Sequence, residues 1–149
     1  MPPMSNRDIE ILLVEDNPHE AQLTIRSLKK HNLANNLYHV EDGADALDFI
    51  FARDKFADRK DASALKVILL DLKLPKVDGL EVLKQIKNND ETKSIPVVIL
   101  TSSKEEQDVI TSYKLGVNSY IVKPVNFESF AKVVADLGMY WMFLNQLPQ

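Results

Sequence analysis

Four apolar runs in this chain end on side chains that can do chemistry together. Ile11-Leu12-Leu13-Val14 leads into Glu15-Asp16, Val67-Ile68-Leu69-Leu70 into Asp71, Val97-Val98-Ile99-Leu100 into Thr101-Ser102-Ser103, and Tyr120-Ile121-Val122 into Lys123-Pro124. Three carboxylates crowded at one place repel one another and raise one another's pKa, unless a hard divalent cation takes their oxygens as ligands. Magnesium is the simplest ion to expect. With it in place, Asp71 can stay ionised and act as a nucleophile. The cation and Lys123 would then neutralise the equatorial oxygens of an incoming phosphoryl group, to which Thr101 offers a hydroxyl hydrogen bond. Taken singly, each residue has a plainer explanation, since an acid after a strand often caps a helix and a lone lysine is usually solvated. The joint pattern, in this chain order and at one sheet edge, is what structural needs alone rarely produce.

The elements that must position these residues are legible too. Runs from Ile9 to Val14, Leu37 to Val40, Val67 to Leu70, Val97 to Leu100 and Ser119 to Val122 are each followed by a helical pattern. Several are continuously apolar rather than alternating, as expected when helices cover both faces of a parallel sheet. In an open parallel sheet the ligand site lies beyond the carboxyl ends of the strands, where the acids, hydroxyl and ammonium fall. Asn17 is placed to cap the first helix, with Pro18 at its first position, Glu20 in its first turn and Lys29, Lys30 and His31 near its end. Asn126 with Glu128 repeats the device before the last helix. Leu80, Leu83 and Ile86 form one packing stripe, and Ile110 with Tyr113 another, before Gly116 ends its helix. The charged stretch from Arg53 to Ala64 has no apolar period and is expected to be a solvated loop.

The chain has 149 residues, 45% of them apolar, which suits one domain with one buried core. Residues 5–147 read as that domain, with residues 1–4 a disordered tail. With 18 basic against 22 acidic residues and a net charge of -4, it offers no field attractive to nucleic acid. It contains no cysteine, which excludes disulfides, thiolate catalysis and cysteine-ligated metals and fits the cytoplasm. No apolar run approaches the ~20 residues that a membrane helix needs, and the N-terminus lacks a secretory core.

Taken together, Ile11 to Asp16, Leu69 to Gly79, Leu100-Thr101-Ser102 and Tyr120 to Pro124 resemble the receiver domains of two-component response regulators, with matches over nearly the whole chain. The resemblance implies a doubly wound, flavodoxin-like α/β fold with strand order 2-1-3-4-5. It implies Asp71 as the phosphoacceptor, and magnesium held by Glu15, Asp16, Asp71 and the backbone carbonyl of Lys73. Lys123 and Thr101 would bind the phosphoryl group, and Thr101 and Tyr120 would be the switch pair. It further implies that Lys73 and Ser103 tune hydrolysis, and that the Lys123-Pro124 peptide bond is commonly cis. Glu15 stands where aspartate is also common in the family, and only lengthens the arm to the metal. The expected partner is a sensor histidine kinase. The charged loop and aromatic C-terminus resemble small stand-alone receivers that serve cyanobacterial and bacterial phytochrome kinases. Such a protein is a phosphoacceptor rather than an enzyme, and signals through conformational change and protein contacts.

The final helix carries a stripe of Phe127, Phe130, Val133, Val134, Leu137, Tyr140, Trp141 and Leu144, with Met139, Met142 and Phe143 adding apolar surface outside it. That surplus leads us to expect a homodimer through this helix and its neighbouring strand. Among rival readings, a flavodoxin-type cofactor site is disfavoured because Glu15-Asp16-Asn17-Pro18-His19-Glu20 would repel a phosphate that needs glycine and hydroxyl residues. A haloacid-dehalogenase-type phosphatase needs its nucleophile after the first strand and an acid two residues on, which Asp71-Leu72-Lys73 does not provide. A receiver-like scaffold that works without phosphorylation is the alternative left open. His19, His31 and His39 are scattered and are assigned no phosphotransfer role.

Overall fold

In a computed structural model, residues 9–30, 36–58, 65–124, 128 and 130–132 are described. The order is β1 (Ile11–Val14), α1 (Pro18–Lys30), β2 (Leu37–Val40), α2 (Gly43–Ile50), a single 3-10 turn (Asp54–Phe56), β3 (Val67–Leu70), α3 (Gly79–Lys87), β4 (Val97–Thr101), α4 (Glu106–Lys114) and β5 (Ser119–Val122). The strands form one five-stranded sheet in the order β2-β1-β3-β4-β5, and every pairing is parallel. This is the doubly wound α/β arrangement expected from the sequence.

All four residues of β1 and of β3 are buried, which explains why those strands read as unbroken apolar runs. Successive side chains point to opposite faces. Leu12, Val14, Ile68, Leu70, Val97 and Ile99 pack with Ala46 and Phe49 of α2 and Val82, Leu83 and Ile86 of α3. Ile11, Leu13, Val67, Leu69, Val98 and Leu100 pack on the other side with Ala21 and Leu28 of α1 and with Phe130.

The helix boundaries follow their caps. Asn17 Oδ1 accepts the Glu20 N–H at 3.0 Å, as the sequence predicts. Asp42 caps α2 by accepting the Asp45 N–H at 2.7 Å. Gly116 follows α4 at φ 99°, a left-handed conformation natural to glycine, and its N–H donates to the Tyr113 carbonyl.

Two expectations are corrected. The charged stretch after α2 is not wholly a solvated loop, because Asp54–Phe56 forms a turn that buries the Phe56 ring. That ring meets Phe49 at a centroid distance of 5.1 Å and Tyr38 at 5.8 Å, both edge-on, while Tyr38 stacks on Phe49 at 5.1 Å. One aromatic among charges leaves no periodic trace, yet it supplies enough apolar area to anchor the segment. On α4, Ile110 and Tyr113 are exposed rather than packed, and Ser112 is the helix's buried residue. Asn126 and the surplus apolar residues Met139, Met142 and Phe143 lie outside the described residues, as do residues 1–4, 59–64 and the chain beyond 132. Among the described residues no helix is long and apolar enough to cross a membrane.

The aromatic cluster generates a stability prediction. Phe56→Ala should cost about 3–5 kcal/mol, the usual penalty for emptying a buried phenylalanine site. Urea unfolding would measure it, and a loss below about 0.5 kcal/mol, the scale of surface changes, would return the segment to a solvated loop.

Candidate functional site

The sheet hydrogen bonding continues one residue past β1 and β3, and this extension sets the acids. The Glu15 N–H donates to the Val40 carbonyl at 3.0 Å, and the Asp71 N–H donates to the Val14 carbonyl at 3.1 Å. Asp71 is therefore fixed to β1, and Glu15 to β2, at the same edge. Both are buried, whereas Asp16 is exposed. Ligating oxygens of Glu15, Asp16 and Asp71 lie within 4.8 Å of one another.

Lys123 joins this group from β5. Its N–H donates to the Thr101 carbonyl at 2.8 Å, which ties it to the end of β4. Its ammonium donates to Asp71 Oδ2 at 3.0 Å, to Glu20 Oε1 at 3.0 Å and to Glu15 Oε1. The Lys123-Pro124 peptide bond is cis, as the resemblance implies. Thr101 is fully buried at the end of β4, and its Oγ1 accepts the Ser103 N–H at 3.3 Å. The Tyr120 hydroxyl donates to the Ser103 carbonyl at 3.0 Å.

Crowding and burial set the charge states. Burial pushes the Glu15 carboxyl up to about 6; hydrogen bonds from Lys123 and the Asn17 N–H oppose the rise, while the charge of Asp71 adds to it. Burial works against the Lys123 ammonium, but its hydrogen bonds to Glu15, Asp71 and Glu20 prevail and raise its pKa. Burial likewise raises the Tyr120 hydroxyl, which stays a donor. Lys123 contacts three carboxylates and Asp16 supplies a fourth, so one ammonium does not balance the set. Hard oxygen donors in such excess fit a divalent cation.

The segment after Asp71 turns back on itself. The Lys73 N–H donates to Asp71 Oδ1 at 3.2 Å, and the Gly79 N–H donates to the Leu72 carbonyl at 2.9 Å. A Cβ at Gly79 would run into the Asp71 carbonyl oxygen and the Leu72 backbone, so glycine is required for this approach.

Glu15, Asp16, Asp71, Thr101, Lys123 and Tyr120 thus gather at one edge. The sequence marks Glu20 only as a first-turn acid, although the α1 turn in which Asn17 accepts its N–H also aims its carboxylate at Lys123. His39, for which no phosphotransfer role is expected, has a structural contact that the sequence does not announce: its Nε2–H donates to the Glu15 backbone carbonyl at 2.7 Å. The signal for both was position, in the first turn after β1 and near the end of the strand beside it. Neither has a residue-type signature.

A family model described as "Response regulator receiver domain" matches residues 11–135. The response regulator Rcp1 of Synechocystis sp. (strain ATCC 27184 / PCC 6803 / Kazusa) is 40% identical over 144 residues, covering 97% of this chain and 96% of that protein. Its Mn(2+)-bound crystal structure superposes with a TM-score of 0.73 at 39% identity, covering 95% of this chain and 99% of that one. The bacteriophytochrome response regulator RtBRR superposes with a TM-score of 0.82 at 51% identity, over 94% of this chain and 84% of that one. A probable methanogenesis regulatory protein, FilR2 of Methanothrix harundinacea (strain 6Ac), is 39% identical over 138 residues, or 93% of this chain and 86% of that protein. Given this match and the acidic, lysine-countered edge of a 2-1-3-4-5 sheet, the chain belongs to the response regulator receiver family, the phosphoacceptor signalling domains of two-component systems.

Proposed function

We propose that Asp71 accepts a phosphoryl group from the phosphohistidine of a sensor histidine kinase in a magnesium-dependent reaction. The observation that carries this is the setting of Asp71 itself. It is 6% exposed, with one carboxylate oxygen facing the Lys123 ammonium and the other the Lys73 N–H. In the transfer, an Asp71 oxygen forms a bond to phosphorus while the phosphorus–nitrogen bond breaks, its electron pair returning to the imidazole. Lys123, held by the Thr101 carbonyl, is pre-positioned to meet the negative oxygens of the phosphoryl group. The Thr101 hydroxyl would bond to the same group, and Tyr120 would register the change.

Glu15, Asp16, Asp71 and the Lys73 backbone carbonyl would hold the cation. When bound, it supplies charge neutralisation for the carboxylates and the phosphoryl oxygens. The manganese in Rcp1 supports a divalent ion, and the all-oxygen donor set favours magnesium.

The 51% identity with a bacteriophytochrome response regulator supports a kinase of the phytochrome type, hence a light pathway in the cytoplasm. A homodimer through the C-terminal helix and β5 belongs to the same proposal, resting on Met139, Met142 and Phe143 in the sequence. Equilibrium sedimentation of a Met142→Asp/Phe143→Asp variant tests it: a monomer with intact phosphorylation is expected, and an unchanged dimer would count against it. A phosphorylation-independent scaffold would have no need of an acid held between an ammonium and a backbone N–H.

Two further predictions follow from the site. Incubation with acetyl phosphate and Mg2+ should add one phosphoryl mass to the intact protein, with no gain in Asp71→Asn or after chelation of the metal. Equal labelling of the Asp71→Asn variant would remove Asp71 from the acceptor role. Separately, Mg2+ at about 100 times its Kd should stabilise the fold by roughly 2.7 kcal/mol. Asp16→Ala should reduce that gain, as read by thermal melting with and without metal. A wild-type midpoint that ignores Mg2+ would sink the metal assignment.

A further inference from the structure

Ser103 sits at the centre of contacts that the phosphoacceptor chemistry does not by itself require. Its N–H donates to Thr101 Oγ1 at 3.3 Å, and its carbonyl accepts the Tyr120 hydroxyl at 3.0 Å. Its own hydroxyl accepts the Glu105 N–H at 3.3 Å and donates to Asp108 Oδ2 at 2.6 Å. The same Asp108 oxygen lies 3.9 Å from the Lys73 ammonium. Asp108 stands in the first turn of α4, and its side chain is 16% exposed. A circuit therefore runs from Asp71 to Lys73, across to Asp108, back to Ser103 and on to Thr101, with β3 and β4 paired behind it.

We propose that Asp108 is a positioning residue that latches Ser103 and Lys73 together across the mouth of the site and thereby sets the lifetime of the aspartyl phosphate. The inference rests on Asp71 being the phosphoacceptor. Hydrolysis needs a water whose oxygen forms a bond to phosphorus, opposite the Asp71 oxygen that leaves. The phosphorus–oxygen bond to Asp71 breaks, its electron pair restores the carboxylate, and the proton of the water departs with inorganic phosphate or to solvent. Lys73 and Ser103 adjoin the reacting group through their backbone N–H bonds to Asp71 Oδ1 and Thr101 Oγ1, so their side chains stand beside the approach such a water would need. Held together by Asp108, they narrow it.

The two halves of the latch are unequal. The Ser103 bond is short, at 2.6 Å to an aspartate side-chain oxygen, and partly buried, which makes it the firmer half. The Lys73 contact is long, and that side chain is 64% exposed, so it adds little by itself. Its use is directional, keeping the ammonium turned toward α4.

The test follows decay of the phosphorylated protein by intact mass, after labelling with acetyl phosphate and Mg2+ and removal of the donor. Asp108→Ala and Ser103→Ala should each shorten the half-life on the order of threefold or more, and the double variant should decay no faster than either, the non-additivity expected of one network. Asp108→Asn keeps an acceptor oxygen for Ser103 and should fall between wild type and Asp108→Ala. That partial rescue is something a purely structural role would not give. An unchanged or longer half-life in Asp108→Ala, or effects that multiply in the double variant, would overturn the latch. Should Asp108→Ala fail to fold, the near-isosteric Asp108→Asn decides, with wild-type decay counting against the proposal. Wild-type protein that takes up no phosphoryl group refutes the phosphoacceptor reading itself, an outcome distinct from labelled proteins with equal decay.

Discussion

The structure turns on one electrostatic constraint, that Glu15 and Asp71 are buried beside each other at the end of a parallel sheet. Buried carboxylates are costly unless paired and hydrogen-bonded, and removing the partner of such a group costs more than never having built it. The chain meets this by bringing Lys123 from the far edge of the sheet, β5, to a pair of acids that β1 and β3 present at its centre. That convergence depends on the registers. Val14 sits opposite both Val40 and Leu70, and Thr101 opposite Val122, so the residue following each of β1, β3 and β5 emerges at the same edge. A slip of one residue would send the acid to the opposite face. The apolar runs thus do more than fill a core. They fix where charge can be concentrated.

Glu15 shows how tightly that concentration is held. Its N–H is bound by Val40, its carbonyl by His39, one carboxylate oxygen by the Asn17 N–H and the other by Lys123. Asp16, one residue later, is exposed. One acid is locked and its neighbour is open to solvent, a division that suits a site where a metal ion enters from outside and meets a preset ligand. Because hydrogen bonds from Asn17 and Lys123 already order the Glu15 carboxylate in the folded chain, its rotamer entropy is lost on folding rather than on ion binding.

Much of this was legible in the sequence, and the reasons it was legible are physical. Parallel strands buried on both faces must be apolar throughout, so β1 and β3 stood out. The residues after them had to be at the sheet's carboxyl edge, so Glu15, Asp16, Asp71, Thr101 and Lys123 could be grouped without any structure. What could not be read were contacts between elements that share no sequence period. Phe56 among charges, Glu20 turned from its helix toward Lys123, and His39 reaching across from β2 all depend on how loops close in space. Ile110 and Tyr113 have helical spacing, but spacing does not say which face of α4 meets the sheet. Ser112 takes that place instead.

That substitution bears on how the site can communicate. A helix usually gains its stability by burying an apolar stripe. In α4 the buried residue is a serine whose hydroxyl has no hydrogen-bond partner among the described residues, while Ile110 and Tyr113 face outward. By contrast α3 buries Val82, Leu83 and Ile86. With little apolar burial of its own, α4 relies more on polar contacts at its first turn, where Ser103 meets Asp108. Elements with few buried apolar contacts open at low free-energy cost. Ser103 is also bonded to Thr101 and Tyr120, so those two residues are linked to the first turn of α4 through Ser103 and Asp108. The core stays fixed because its burial is large. The helix beside the site is free to respond because its burial is small.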